Sequence, residues 1–188
     1  MMRIITGSAR GTHLYTRSGD ETRPTSERAK EALFSMLQQK PNGARVLDLF
    51  AGAGQLGLEA LSRGAAAAVF VDASKEAAQI VRRNAERTHL LQKAKIVTGD
   101  ALSYLKTCHE APFDLCFLDP PYDAGVLSQS LFLLVSRGLL AKDALVIAES
   151  RECVDVFGGD AALADKFEII KQNRYGVACI TVMKEANI

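Results

Sequence analysis

"VLDLFAGAGQLGLEAL", residues 46–61, begins as an apolar run of strand type, turns through three glycines and resumes with helical spacing. Gly52, Gly54 and Gly57 satisfy G-x-G-x-x-G at that junction. Glycine permits the tight turn and lets a ligand approach the backbone with no Cβ in the way. Alone the triplet is a weak signal, and its surroundings decide its meaning. From about Ala44 onward, short β-rich runs alternate with stretches of helical period. The runs are "RVLDLF" (45–50), "AAVFVD" (67–72), "AKIVTG" (94–99), "FDLCFLD" (113–119) and "ALVIAES" (144–150). After Ser74, a good N-cap, Ala77, Ala78, Val81 and Ala85 recur three and four apart. This alternation predicts an α/β fold, a Rossmann-like, doubly wound and mostly parallel sheet covered on both faces. The end of the chain breaks the rhythm. "KFEIIKQ" (166–172) and "GVACITVMK" (176–184) flank "NRYG" and predict an antiparallel hairpin closing one edge.

Residues 1–40 stand outside the alternation, so the chain divides into a 1–40 extension and a 41–188 α/β domain. "MRIITGSARGTHLYT" (2–16) predicts two short strands around a Gly-Ser-Ala-Arg-Gly turn, and "RPTSERAKEALFSMLQQ" (23–39) a helix capped by Thr25 or Ser26. With 188 residues, 48% of them hydrophobic, there is ample material for one sizeable core. The formal net charge is +1, so the whole protein is not a polycation. The charge is nonetheless uneven, with seven Lys/Arg against four Asp/Glu in residues 1–40 and sixteen against eighteen in the rest. A basic front suits an anionic partner, although on charge alone a solvated face is the favoured explanation. The four cysteines (Cys108, Cys116, Cys153, Cys179) form no C-x-x-C pair and read as reduced thiols. His13, His89 and His109 lack metal-ligand spacing, and no metal is expected. With no signal-peptide core and no apolar run of membrane-spanning length, a soluble, cytoplasmic protein is expected.

Three acids stand at predicted strand ends. Asp72 is placed to accept hydrogen bonds from ribose hydroxyls, which implies a nucleoside-bearing cofactor. Asp48 lies four residues before the first glycine, where a dinucleotide turn usually passes from apolar strand straight into glycine. It would repel a pyrophosphate and attract the sulfonium and ammonium of S-adenosylmethionine. A capping Asp that orders the loop is the other explanation. Asp100, in "TGDAL" (98–102), is placed to bracket an adenine or, equally, to cap the following helix.

"FLDPPYD" (117–123) ends an apolar strand in an acid, two prolines and an aromatic. The residue before a proline is pushed to the extended region, and Pro120 and Pro121 have fixed φ and no N–H. The corner is therefore stiff. The Asp119 carboxylate and the Pro120 carbonyl supply two acceptors beside the flat ring of Tyr122. They match an exocyclic nucleobase amine, whose two N–H groups lie on an aromatic plane. Gripping both hydrogens favours a pyramidal nitrogen and stabilises the charge that builds as it attacks a methyl group. A rigid turn without chemistry is the competing explanation for Asp-Pro-Pro-Tyr taken alone. An NAD-dependent oxidoreductase fits the glycines but leaves Asp48 and this motif without a role.

In "RIITGSARG", "TRPTSERAKEALFSML", "DLFAGAGQLGLEALSRGA", "DPPY" and "NRYGVACITVM", the sequence resembles the bacterial family of class I S-adenosylmethionine-dependent enzymes that methylate N2 of a guanine in 16S ribosomal RNA. The resemblance implies cofactor contacts at Asp48, Gly52, Gly54, Asp72 and Asp100, with Phe50, Ala73 and Ala101 beside them. It implies catalysis at Asp119, Pro120, Pro121 and Tyr122. RNA contacts are expected at Arg10, Arg23, Thr25 and Arg28, and the substrate is expected to be 16S rRNA in a partly assembled small subunit, met by a monomer. "DPPY" is shared with DNA adenine and cytosine amino-methyltransferases and with protein glutamine methylation, which stay open as alternatives. The sequence departs from the family pattern in three places. Asp72 stands where glutamate is common, Gln55 where a small residue is, and Thr12 and His13 where basic residues often are.

Overall fold

The computed structural model describes residues 2–17, 24–120, 124–151, 153, 155–176 and 178–186. Arg23, Pro121 and Tyr122 lie outside the described residues, as does the side chain of Thr25. After α1 (Pro24–Leu37), strands and helices alternate: β1 (Arg45–Asp48), α2 (Gln55–Ser62), β2 (Ala67–Asp72), α3 (Lys75–Arg87) and β3 (Ala94–Thr98). The second half adds α4 (Ala101–Thr107), β4 (Phe113–Leu118), α5 (Ala124–Ser136), β5 (Leu140–Arg151), α6 (Ala161–Ala164), β6 (Phe167–Tyr175) and β7 (Ala178–Glu185). The sheet order is β3-β2-β1-β4-β5-β7-β6. β1 to β5 run parallel, and β7 enters antiparallel between β5 and β6.

The central strands β1, β2 and β4 read as nearly continuous apolar runs because both faces are covered. On one face Val46, Leu115 and Phe117 pack with Leu33 and Phe34 of α1, Leu58 and Leu61 of α2 and Val81 of α3. On the other, Leu47, Cys116 and Leu118 pack with Leu105 of α4 and Leu127, Leu131 and Leu134 of α5. The strand order reverses at β1, whose neighbours are β2 and β4. Chains leaving β1 and β4 diverge to opposite faces there, which opens a crevice at their carboxyl ends.

The N-terminal segment departs from the expected pair of strands. It holds a single bridge, Arg3 with His13, supported by Ile4 N–H to the Thr12 carbonyl (3.0 Å) and Leu14 N–H to the Met2 carbonyl (2.9 Å). The intervening backbone turns on itself, with Arg10 N–H donating to the Gly7 carbonyl (3.2 Å), Gly11 N–H to that of Ile4 (2.8 Å) and Thr12 N–H to that of Ala9 (3.1 Å), and it also bonds to α2. Ile5 and Thr6 donate to the Glu59 carboxylate (2.7 and 3.0 Å), Ser8 to the Ser62 carbonyl (2.8 Å) and Ala9 to Ser62 Oγ (3.0 Å). Glu59 is fully buried, and Lys30 (3.6 Å) and Arg63 (2.8 Å) balance its charge. Ile4 and Leu14 thereby join the core shared by α1 and α2.

Two further expectations are corrected. Helix α1 begins at Pro24, so Thr25 and Ser26 lie in its first turn and are not its N-cap. Proline is well suited to that start, because its fixed φ is helical and its missing N–H would have no partner there. Cys153 and Cys179, expected as reduced thiols, form a disulfide with Cα atoms 4.9 Å apart. The antiparallel register sets Cys179 opposite Ser150, so the chain leaving β5 carries Cys153 back within reach. Cys108 and Cys116 are buried free thiols.

The predicted cap of α3 is present, with Ser74 Oγ accepting from Ala77 N–H at 3.3 Å. Replacing Ser74 with Ala is expected to lower stability by about 1 kcal/mol, read as a shifted urea midpoint at unchanged slope. An unshifted midpoint would show that the cap contributes nothing.

Candidate active site

The glycine loop leaves β1 immediately after Asp48. Gly52 and Gly54 both adopt positive φ (53° and 77°), which admits the reversal into α2. Gly57 answers a different need. A Cβ there would sit 2.3 Å from the Phe70 ring and 3.1 Å from Asp48 Oδ2, so only glycine lets α2 lie this close to the sheet. Its N–H donates to Asp48 Oδ2 at 2.9 Å. Asp48 is only 4% exposed. Burial pushes its carboxyl up to about 7, against the opposing pull of the Gly57 N–H and with a further push from Asp72. The loop-ordering alternative weighed for Asp48 is thus realised, by a carboxyl that is also buried.

Asp72 ends β2 and holds the loop from the other side. Its Oδ2 accepts from Gly52 N–H and its Oδ1 from Ser74 N–H, both at 2.8 Å. Asp100 caps α4 by accepting from Ser103 N–H at 2.8 Å, and the Ser103 side chain, then this N–H, hold its carboxyl below the usual range. The capping alternative weighed for Asp100 is therefore realised. Phe50 is half-buried at the loop, Ala73 exposed and Ala101 buried at the start of α4.

Asp119 follows directly on β4. Phe117 pairs with Asp48 across β1 and β4, and Leu49 N–H donates to the Phe117 carbonyl at 3.0 Å, so the glycine loop and Asp119 share one end of the sheet. Asp119 is exposed as a residue while protein mass crowds its carboxyl, which has no hydrogen-bond partner among the described residues. Loss of surrounding water to the protein mass, then Glu149 and Asp48, raise its carboxyl well above the ordinary range. Glu149, near the end of β5, was not singled out from sequence. The available signal was an acid next to the end of "ALVIAES", a position comparable to Asp48 and Asp72 in their runs.

Of the expected RNA-contact residues, Arg10 and Arg28 have described side chains. Arg10 is exposed on the segment that docks at Ser62, about 10 Å along α2 from the glycine loop at 1.5 Å per residue. Arg28 is exposed on α1. Residues 14–17 instead run along α3. Tyr15 carries Arg83 and Arg87 over its ring at 4.3 and 5.1 Å, and Arg17 pairs with Glu76 at 3.2 Å. Asn84, fully buried and also missed from sequence, ties this segment to the loop. It accepts from Tyr15 N–H (2.7 Å) and donates to the carbonyls of Tyr15 and Ala53 (both 2.9 Å).

A seven-stranded sheet of this order, with a glycine loop after β1 and an acid after β2, is the class I S-adenosylmethionine-dependent methyltransferase fold. The solved structure of the candidate methyltransferase yhhF of Escherichia coli superposes at TM-score 0.83, with 33% identity over 98% of this chain and 97% of that one. The family model described as conserved hypothetical protein 95 matches residues 2–184. The candidate rRNA methyltransferase YlbH of Bacillus subtilis (strain 168) is 36% identical over 188 residues, 98% of this chain and 99% of that protein. Ribosomal RNA small subunit methyltransferase D of Escherichia coli (strain K12) is 38% identical over 149 residues, 79% of this chain and 74% of that protein. The chain belongs to this family of methyltransferases, of the small-subunit rRNA methyltransferase D type, and its methyl donor is S-adenosylmethionine.

The crevice fits that donor. Asp48 is a buried carboxyl with no cationic partner among the described residues, beside a loop in which Gly52 faces open space. An acid at Asp48, against the glycine loop, would repel a diphosphate once ionised, which disfavours the nicotinamide alternative. Among the described residues no helix is long and apolar enough to cross a membrane.

Proposed function

We propose that this chain methylates the exocyclic N2 amine of a guanine in 16S rRNA, within a partly assembled small subunit. The carrying observation is the Asp119 carboxylate, without a hydrogen-bond partner among the described residues, at the strand end beside the glycine loop. The names of the relatives supply ribosomal RNA as the substrate class. On this reading Asp48 faces the positive methionine portion of the cofactor, and Asp72 orients both the loop and the ribose. Phe50, Gly52, Gly54, Ala73, Asp100 and Ala101 complete that pocket.

S-adenosylmethionine supplies an electrophilic methyl group, whose C–S bond breaks with the electron pair left on sulfur as the new C–N bond forms. A nucleobase amine is a poor nucleophile because its lone pair is delocalised into the ring. Asp119 and the Pro120 carbonyl accept its two hydrogens, turn the lone pair out of the ring plane and stabilise the growing positive charge. The surplus proton leaves to Asp119 or to water after methyl transfer. Pro121 stiffens the corner and Tyr122 supplies the stacking surface, with the base unpaired or flipped. The 1–40 extension, through Arg10, Arg23, Thr25 and Arg28, provides phosphate contacts that hold the RNA without reading its sequence.

The test incubates the enzyme with labelled cofactor and small subunits from cells lacking it, then digests the RNA to nucleosides. Label in N2-methylguanosine is expected. Label in N6-methyladenosine, or in DNA or protein alone, overturns the substrate.

A further inference from the structure

Glu149 lies beside the proposed catalytic corner yet has no part in the chemistry described so far. β4 and β5 are parallel, with Leu118 opposite Ala148, so the next residues along, Asp119 and Glu149, emerge side by side. Neighbouring strands lie about 4.8 Å apart and in-register residues project to the same face. Glu149 is half-buried, and its carboxylate has no hydrogen bond or ion pair among the described residues. Burial raises its acid range, and its charge in turn raises that of Asp119. No described cation offsets the two. The crevice rim thus presents adjacent acceptors in want of donors.

The Watson–Crick edge of guanine carries three donors, N1–H and the two hydrogens of N2. Adenine and cytosine present an amine beside a ring nitrogen that accepts. With Asp119 and the Pro120 carbonyl taking the amine hydrogens, one acceptor is needed for a guanine and is repulsive for the other two bases. We propose that Glu149 is the specificity-determining residue of this site, accepting the N1–H of the target guanine and rejecting bases that carry a lone pair there. This rests on the N2-guanine reading above. It also supplies what Asp-Pro-Pro-Tyr lacks, since that motif grips any exocyclic amine.

The test compares guanosine with 2,6-diaminopurine at the target nucleotide. Diaminopurine keeps the N2 amine and replaces N1–H by an acceptor. Small subunits reconstituted with either base are assayed at mildly alkaline pH, where Glu149 is driven toward its ionised form. The parent enzyme is expected to favour guanine by about a hundredfold or more in kcat/KM, as sites built to pair a substrate donor do. Glu149→Gln is nearly isosteric, and its amide can turn to offer either oxygen or N–H. That variant should bring the ratio to within roughly fivefold of unity, with cofactor affinity unchanged. A ratio as large in Glu149→Gln as in the parent, in a variant with an unchanged melting temperature, overturns the role of Glu149 and leaves the guanine target standing. Absence of label from guanosine in the parent enzyme overturns both.

Discussion

Asp119→Ala is expected to lose methyl transfer by a hundredfold or more while binding S-adenosylmethionine about as well as the parent. The proposed partner of this carboxylate is the target amine, so its loss acts on the transition state and leaves the cofactor pocket intact. Single-turnover rates with saturating RNA, beside calorimetric cofactor binding, read the two effects separately. Asp119→Asn keeps one acceptor oxygen and should fall between parent and Ala. Surrounding protein and the charges of Glu149 and Asp48 hold the Asp119 carboxyl above the ordinary range. The rate of the parent should therefore decline on the acid side at a higher pH than an ordinary carboxylate would give. Turnover of Asp119→Ala within a few-fold of the parent would remove Asp119 from the mechanism.

Asp48→Asn is expected to make the ligand-free protein more stable above neutral pH and a much poorer binder of the cofactor. The Asp48 carboxyl is raised from 3.8 to about 7 by burial, so between those values the folded protein holds a proton that the unfolded chain has released. Stability then falls as pH rises through that window, and the full penalty is present above about pH 7. Three pH units correspond to roughly 4 kcal/mol. Asparagine keeps an oxygen for the Gly57 N–H and carries no charge to bury. Denaturation midpoints should coincide near pH 4 and diverge by pH 8, with the variant higher. Binding a cationic cofactor favours the ionised carboxylate, so the parent should release protons on binding below pH 7. Calorimetry in two buffers of different ionisation enthalpy measures that release, and Asp48→Asn should lack it. Equal stability at pH 8 together with equal cofactor affinity would mean that Asp48 is an ordinary loop cap.

The glycine loop, the parallel strands and the closing hairpin were legible because each is a local pattern. Apolar runs of five or six residues, a cap at Ser74 and glycines after a strand state their conformation within a few positions of themselves. That the glycine loop and Asp119 face one crevice depends on β1 and β4 being neighbours, and the register shows that they are. The start of α1 was misplaced by the capping signal of Thr25 and Ser26, although Pro24 carried the better clue.

Amino-acid order by itself determined the alternating α/β fold, the glycine loop with its neighbouring acids and the abrupt end of β4. These rest on backbone preferences and burial periodicity, which act over one turn or one strand. Only the tertiary structure decided what those residues meet. Glu59 takes the backbone N–H groups of Ile5 and Thr6 from more than fifty positions away, and Asn84 joins Tyr15, 69 positions before it, to Ala53, 31 positions before it. Cys153 finds Cys179 because β7 returns antiparallel beside β5, and Glu149 finds Asp119 because β5 lies next to β4. Each of these depends on which strand lies beside which and in what register, and such partners are created by the chain's crossings, with no trace in the spacing of the residues themselves.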